Sequence, residues 1–144
     1  MTVLAVIRPD SWNLPLFVHI LGAMVLVGAL ALVLVAIAGR DLRLGFRSLL
    51  FGVLPGWIVM RGAAEWIADK EKVNDLNPVP SWVDLGYSIA DPMLLLIIIA
   101  TVCSGIAVRR QQRGGALRGT ALVVTAVALV AAFVAVWAMS TKPT

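Results

Sequence analysis

Reactive and ionisable side chains are scarce in this chain. It has one cysteine, one histidine and one tyrosine, and only 14% of its 144 residues are charged. Because Cys103 has no second cysteine, an intramolecular disulfide and a cysteine-only metal site are excluded. A haem c attachment motif, an HExxH motif, a nucleotide-binding glycine loop and a catalytic serine, histidine and acid set are also missing. The sequence therefore favours a non-enzymatic protein.

Hydrophobic residues are abundant instead, at 60% of the chain with a mean hydropathy of +0.95. That composition excludes a water-soluble domain with a polar surface. Four stretches are apolar enough to cross a bilayer, at about 12–38, 48–68, 85–108 and 120–139. Since open loops are excluded from hydrocarbon, each stretch should be a helix. We expect an all-α integral membrane bundle of four transmembrane helices, folded as a single domain over residues 1–144.

The net charge of +4 is explained by topology, without nucleic-acid binding. Segments 39–47 and 109–119 hold seven arginines and a single acid. By the excess of basic residues, these two segments are cytoplasmic, which places both termini on the non-cytoplasmic side. The tryptophans and the tyrosine near the span ends all fall on that outer side, where amphipathic rings prefer the membrane–water interface. They are Trp12, Trp66, Trp82, Tyr87 and Trp137.

A few polar residues interrupt the spans at a common depth. His19, Arg61 and Asp91 each lie six or seven residues inside the outer end of a predicted span, roughly 10 Å deep at ~1.5 Å per residue. Glu65 follows Arg61 by four positions, and Tyr87 shares a helix face with Asp91. We expect these five residues to form a polar layer that either holds the bundle together or binds a ligand.

Because an isolated charge within a membrane is costly, Arg61 should contact Glu65, Asp91 or both. Pro55 and Gly56 should kink the second helix and open a pocket beneath Arg61. The position of Asp91 has two interpretations. It lies inside the third helix, or it caps a helix that starts at Pro92.

Three segments, FVHILGAMVLVGA at 17–29, MRGAAEWIADKE at 60–71 and PSWVDLGYSIADPMLLLI at 80–97, resemble a group of small four-helix bacterial integral membrane proteins of unknown function. That group is distantly similar to copper-resistance-D-like proteins. The resemblance covers about residues 12–110 and implies a multi-pass protein of the bacterial cytoplasmic membrane. It also implies haem or metal contact at the first-helix histidine, which is His19 here.

Three functions are consistent with these features. The first is an accessory or interaction subunit without a cofactor, surrounded by lipid and assembled as a homo-oligomer or within a membrane complex. The second is a haem- or metal-binding redox protein that uses His19, with Met24, Met60, Met93 or a partner chain as a further haem ligand, or with that ligand position open. The third is a small oligomeric transporter coupled to protons or anions.

Overall fold

The computed structural model describes residues 13–72, 75, 81–110 and 115–140. These form helices α1 (Asn13–Ala38), α2 (Leu42–Ser48), α3 (Leu54–Lys70), α4 (Ser81–Arg109) and α5 (Ala116–Ser140), with a π-helical turn at Leu49–Val53 between α2 and α3. The described part of the chain contains no strand, which confirms the all-helical prediction. Two residues used to predict topology, Trp12 and Arg113, lie outside it, as does the side chain of Trp82.

Four helical segments are long and apolar enough to cross a membrane: Asn13–Ala38, Leu42–Lys70, Val83–Arg109 and Ala116–Ala138. Each agrees with one predicted span, although the second begins at Leu42, earlier than the predicted position 48. Large hydrophobic side chains cover the outside of the bundle, and Met24, Val35, Phe51 and Val130 are all exposed. An apolar outer surface of this extent is suited to lipid.

The bundle is built from two antiparallel pairs. The first pairs α1 with the run from α2 through α3, and the second pairs α4 with α5. Glycines allow the first pair to approach closely, because a Cβ on Gly56 would lie 2.9 Å from the backbone nitrogen of Leu26. The core between the pairs is aliphatic and includes Leu30, Val33, Ile97 and Ala128.

Pro55 explains the irregular turn before α3. A proline has no N–H, so it cannot make the backbone hydrogen bond that an α-helix requires at this position. The turn before it is π-helical, and the N–H of Leu54 bonds to the carbonyl of Leu49, five residues earlier. The break predicted at Pro55 and Gly56 therefore takes the form of a π-helical turn.

Helix α4 is continuous through Pro92. Asp91 is consequently the eleventh residue of a 29-residue helix, and the alternative in which it caps a helix start does not hold. The helix begins at Ser81, so the segment before Asp91 is helical as well. Two hydrogen bonds from α3 reach this turn of α4, one from Trp57 to the Ala90 carbonyl and one from Arg61 to Asp91. They stabilise a helical conformation that an Asp-Pro pair does not favour by itself.

At one end of the bundle, α1 ends, α2 begins and α5 begins, and exposed arginines cluster there. We call this the arginine end, and its described members are Arg40, Arg43, Arg47, Arg109, Arg110 and the half-buried Arg118. Asp41 caps α2 by accepting a bond from the N–H of Leu44. The opposite end, where α1 begins and α3 ends, holds the predicted polar residues.

Candidate functional site

Arg61 of α3 is the centre of the polar layer. Its Nε donates to Oδ1 of Asp91 on α4 at 3.1 Å, and its Nη1 forms an ion pair with Glu65 one turn along α3. The guanidinium also lies over the ring of Tyr87, 4.4 Å from the ring centroid. Arg61 therefore contacts both carboxylates, as the energetic cost of a lone membrane charge predicted.

The three members of this cluster differ in exposure. The Arg61 side chain is only 20% exposed, whereas those of Glu65 and Asp91 are 52% and 61% exposed. The cation is thus the inner group, with Tyr87 packed on its face and the carboxylates outside it. A guanidinium has five N–H donors, so it can serve both carboxylates and retain donors for another group.

His19 of α1 bonds to the backbone of α3. Its Nδ1 lies 2.9 Å from the carbonyl oxygen of Met60, the residue before Arg61. This contact is possible because α1 and α3 approach closely at Gly22, where a Cβ would lie 2.6 Å from the Met60 nitrogen. The small residues on one face of α1 therefore position the imidazole beside the polar layer.

Helices α3 and α4 touch each other at only a few places, which include an apolar contact of Ala68 with Val83. Besides the bond from Arg61 to Asp91, Nε1 of Trp57 donates to the carbonyl oxygen of Ala90 at 3.0 Å. Ala90 lies in the turn preceding Pro92, where the missing proline N–H weakens the backbone ladder. These two bonds link the first helix pair to the second.

A cavity of about 310 Å³ lies among α1, α3, α4 and α5 beside these bonds. His19, Arg61, Tyr87 and Glu71 supply its polar side chains. The other lining residues are mainly aliphatic, with small alanines from all four helices and the larger Leu16, Leu26, Met93 and Val136. A mostly apolar pocket with a few convergent polar groups is the usual form of a small-molecule site.

The structure divides the predicted layer into two groups. His19, Arg61 and Tyr87 line the cavity, while Glu65 and Asp91 do not line it and instead hold Arg61 from outside. Glu71 lines the cavity but was not among the predicted site residues. Its position follows from helical spacing, because Arg61, Ala64, Ala68 and Glu71 fall on one face of α3.

The side chains around the cavity are poorly suited to bind a metal ion. Within the described residues no group of three or more His, Cys, Asp or Glu side chains could hold a metal ion. His19 is the single imidazole, and the neighbouring Met60 and Met93 offer only thioether sulfur. We therefore assign no chemistry to a bound ion at this site.

Comparisons with protein-family models, with curated proteins and with solved structures give no match.

Proposed function

We propose that this chain is a small multi-pass membrane protein without catalytic activity, and that it binds a membrane-soluble small molecule in the cavity among its four spans. The carrying observation is the cavity itself, whose walls are largely aliphatic and whose polar groups converge from three helices. Such a protein would serve as an accessory or interaction subunit that holds a membrane-soluble ligand. Assembly as a homo-oligomer or within a membrane complex is part of the same proposal.

The polar groups of the cavity support binding over a purely structural role. A structural ion pair needs only its two partners, and Arg61 already has Glu65 and Asp91. His19 is not needed for that pairing, yet its side chain lines the same space. The seam where α3 and α4 touch only briefly would let a ligand enter from the bilayer.

We further propose that the arginine end faces the cytoplasm and that both termini lie on the non-cytoplasmic side. The excess of arginine at one end of the bundle supports this orientation. The cavity then lies toward the outer leaflet of the membrane, taken as the bacterial cytoplasmic membrane from the sequence resemblance.

The haem and transport hypotheses depend on some of the same side chains. A haem would use the ring nitrogen of His19 that is not bonded to Met60. Anion transport would need a cation available to the anion, but Arg61 is already paired with two carboxylates. Neither alternative has an observation that favours it over ligand binding.

Purification tests the proposal directly. The protein would be extracted in mild detergent, and bound organic molecules would be identified by mass spectrometry of a solvent extract. The key variant is Ala135→Phe, which fills the cavity from α5 with a larger ring. Its matched control is Val134→Phe, because the neighbouring Val134 is 45% exposed on the outside of the bundle.

We expect a molecule that copurifies with the wild-type protein and with Val134→Phe but is lost from Ala135→Phe. Thermal unfolding of all three proteins would verify that Ala135→Phe is folded. A Soret band in the wild-type spectrum would support the haem hypothesis instead. Equal recovery of every copurifying molecule from the two phenylalanine variants would overturn the proposed cavity function.

A further inference from the structure

We infer that the cavity selects a neutral amphipathic molecule whose polar head carries a hydroxyl group, and that it discriminates against anionic lipids. This inference rests on the proposed ligand-binding function and specifies the ligand's chemistry. Two independent observations carry it: the hydrogen bond that determines which nitrogen of His19 is available, and the charge balance around Arg61.

The first observation concerns the imidazole of His19. A backbone carbonyl can only accept a hydrogen bond, so the Nδ1 that contacts the Met60 oxygen must be the donor. In the neutral ring, Nε2 is then unprotonated and can only accept. Nε2 makes no hydrogen bond to any residue that the structure describes, and His19 lines the cavity. A ligand that satisfies this atom must bring its own donor, which a hydroxyl does and an ether or ester does not.

The second observation concerns charge. Arg61 is paired with both Glu65 and Asp91, so these three groups together carry one net negative charge. Glu65 and Asp91 hold Arg61 from outside the cavity, so the charge of the guanidinium that lines it is already matched. A phosphate or fatty-acid carboxylate placed here would lose its hydration without meeting an excess positive charge, because the charge of Arg61 is already balanced by its two carboxylates. The charges around Arg61 therefore favour a ligand whose polar head is neutral.

The cavity also restricts the ligand's shape. Its volume of about 310 Å³ is at the small end of the ~300 to 1,000 Å³ usual for ligand pockets. It accommodates a compact head and the first part of a chain, with the rest of the chain among lipids at the seam between α3 and α4. Long-chain alcohols, isoprenoid quinols and diacylglycerols share this chemistry.

Three probes of matched length separate the requirement for a hydroxyl group from the requirement for a neutral head. They are dodecanol, dodecyl methyl ether and dodecanoate. Each radiolabelled probe would be equilibrated with protein in phosphatidylcholine nanodiscs. Binding to nanodiscs that contain Ala135→Phe would be subtracted to remove partition into lipid. We expect dodecanol to bind about three- to tenfold more tightly than its methyl ether, the effect of one hydrogen bond. We expect dodecanoate to bind more weakly than dodecanol by roughly tenfold or more.

Variants assign each preference to its cause. His19→Phe should abolish the preference for dodecanol over the ether while the ether still binds, which shows that the cavity persists. Asp91→Asn should shift the ratio of dodecanoate to ether binding toward dodecanoate, because Arg61 is then neutralised by a single carboxylate. Decyl hydroquinone and a short-chain diacylglycerol, tested in the same way, distinguish the two natural sources of the hydroxyl.

Two kinds of failure are distinguishable. If no probe binds above the Ala135→Phe background, the proposed ligand-binding function is wrong and the inference falls with it. If the ether and dodecanoate bind as tightly as dodecanol, the cavity binds ligands but the inferred selectivity is wrong. The inference is also overturned if His19→Phe retains the full preference for dodecanol.

Discussion

A Cβ atom on Gly22 would lie 2.6 Å from the backbone nitrogen of Met60 and 2.9 Å from its Cα. Helices α1 and α3 are therefore in direct backbone contact at this level, with no side chain between them. One turn earlier on α1, His19 uses this proximity to reach the Met60 carbonyl. The glycine on one helix thus determines which polar atom the histidine of the same helix can bind.

Gly22→Ala should separate the two helices. The added methyl group meets backbone, which cannot rotate away, so we expect a loss of about 1 to 3 kcal/mol in the free energy of unfolding. Gly28→Ala is the matched control, because a Cβ there has no neighbour within 4 Å. It should be neutral or stabilise by up to ~1 kcal/mol, since alanine favours the helix over glycine. Unfolding in mixed detergent micelles measures both, and equal effects would contradict the close contact.

Arg118 stabilises the C-terminus of α1. Its Nε donates to the carbonyl of Ile37 at 2.9 Å and its Nη2 to that of Ala38 at 3.0 Å, so one guanidinium satisfies two terminal carbonyls. Arg118→Ala should lower the free energy of unfolding by about 1 to 3 kcal/mol. Arg118→Lys should recover only part of this loss, because an ammonium lacks the planar fork.

Arg110→Ala is the control for that measurement. Arg110 is exposed near the same end of the bundle, and we expect a change within ~0.5 kcal/mol. A loss at Arg110 equal to that at Arg118 would indicate a general effect of charge at the arginine end and would refute the capping role.

The bond between Arg61 and Asp91 joins the two helix pairs and should appear as an energetic coupling. In a double-mutant cycle with Arg61→Leu and Asp91→Asn, we expect a coupling of roughly 0.5 to 3 kcal/mol in the free energy of unfolding. Asp84→Asn replaces Asp91→Asn in the control cycle, because the exposed Asp84 makes no ion pair within the described residues. Additive effects in the first cycle would show that the bond does not stabilise the fold.

The proposed orientation can be measured by cysteine labelling in intact cells. Cys103 would first be replaced by alanine, and single cysteines would then be introduced at two exposed positions, Asp75 and Arg43. A membrane-impermeant maleimide should label Asp75→Cys from outside and Arg43→Cys only after the membrane is opened. The reverse pattern would place the termini in the cytoplasm.

Much of the fold was predictable from residues alone. The apolar spans identify four helices because length and hydropathy are local properties, and Arg61 was expected to contact acids because burial of a lone charge is unfavourable. Both inferences need only the sign of a side chain's charge and the approximate depth of the residue in the membrane. Neither requires knowing which helix is the neighbour of which.

The details of the site required tertiary information. Asp91-Pro92 has the local signature of a helix start, yet α4 continues through it, where Trp57 and Arg61 of α3 bond to the turn. The choice of Met60 as the partner of His19 depends on a close helix approach that many glycines in the chain could have supplied. The position of Glu71 in the cavity wall requires knowing which face of α3 points inward.

The π-helical turn at Leu49–Val53 makes this stretch tolerant of a change in chain length. A π turn encloses one residue more than an α turn, so losing one residue here returns the backbone to α-helical spacing with a kink at Pro55, while the residues on either side keep their helix faces. A deletion inside α3 would instead rotate everything beyond it by about 100° and turn Arg61 away from Asp91. Related chains that differ by one residue in length are therefore expected to place the gap at this turn, and an alignment made without it would mismatch the site.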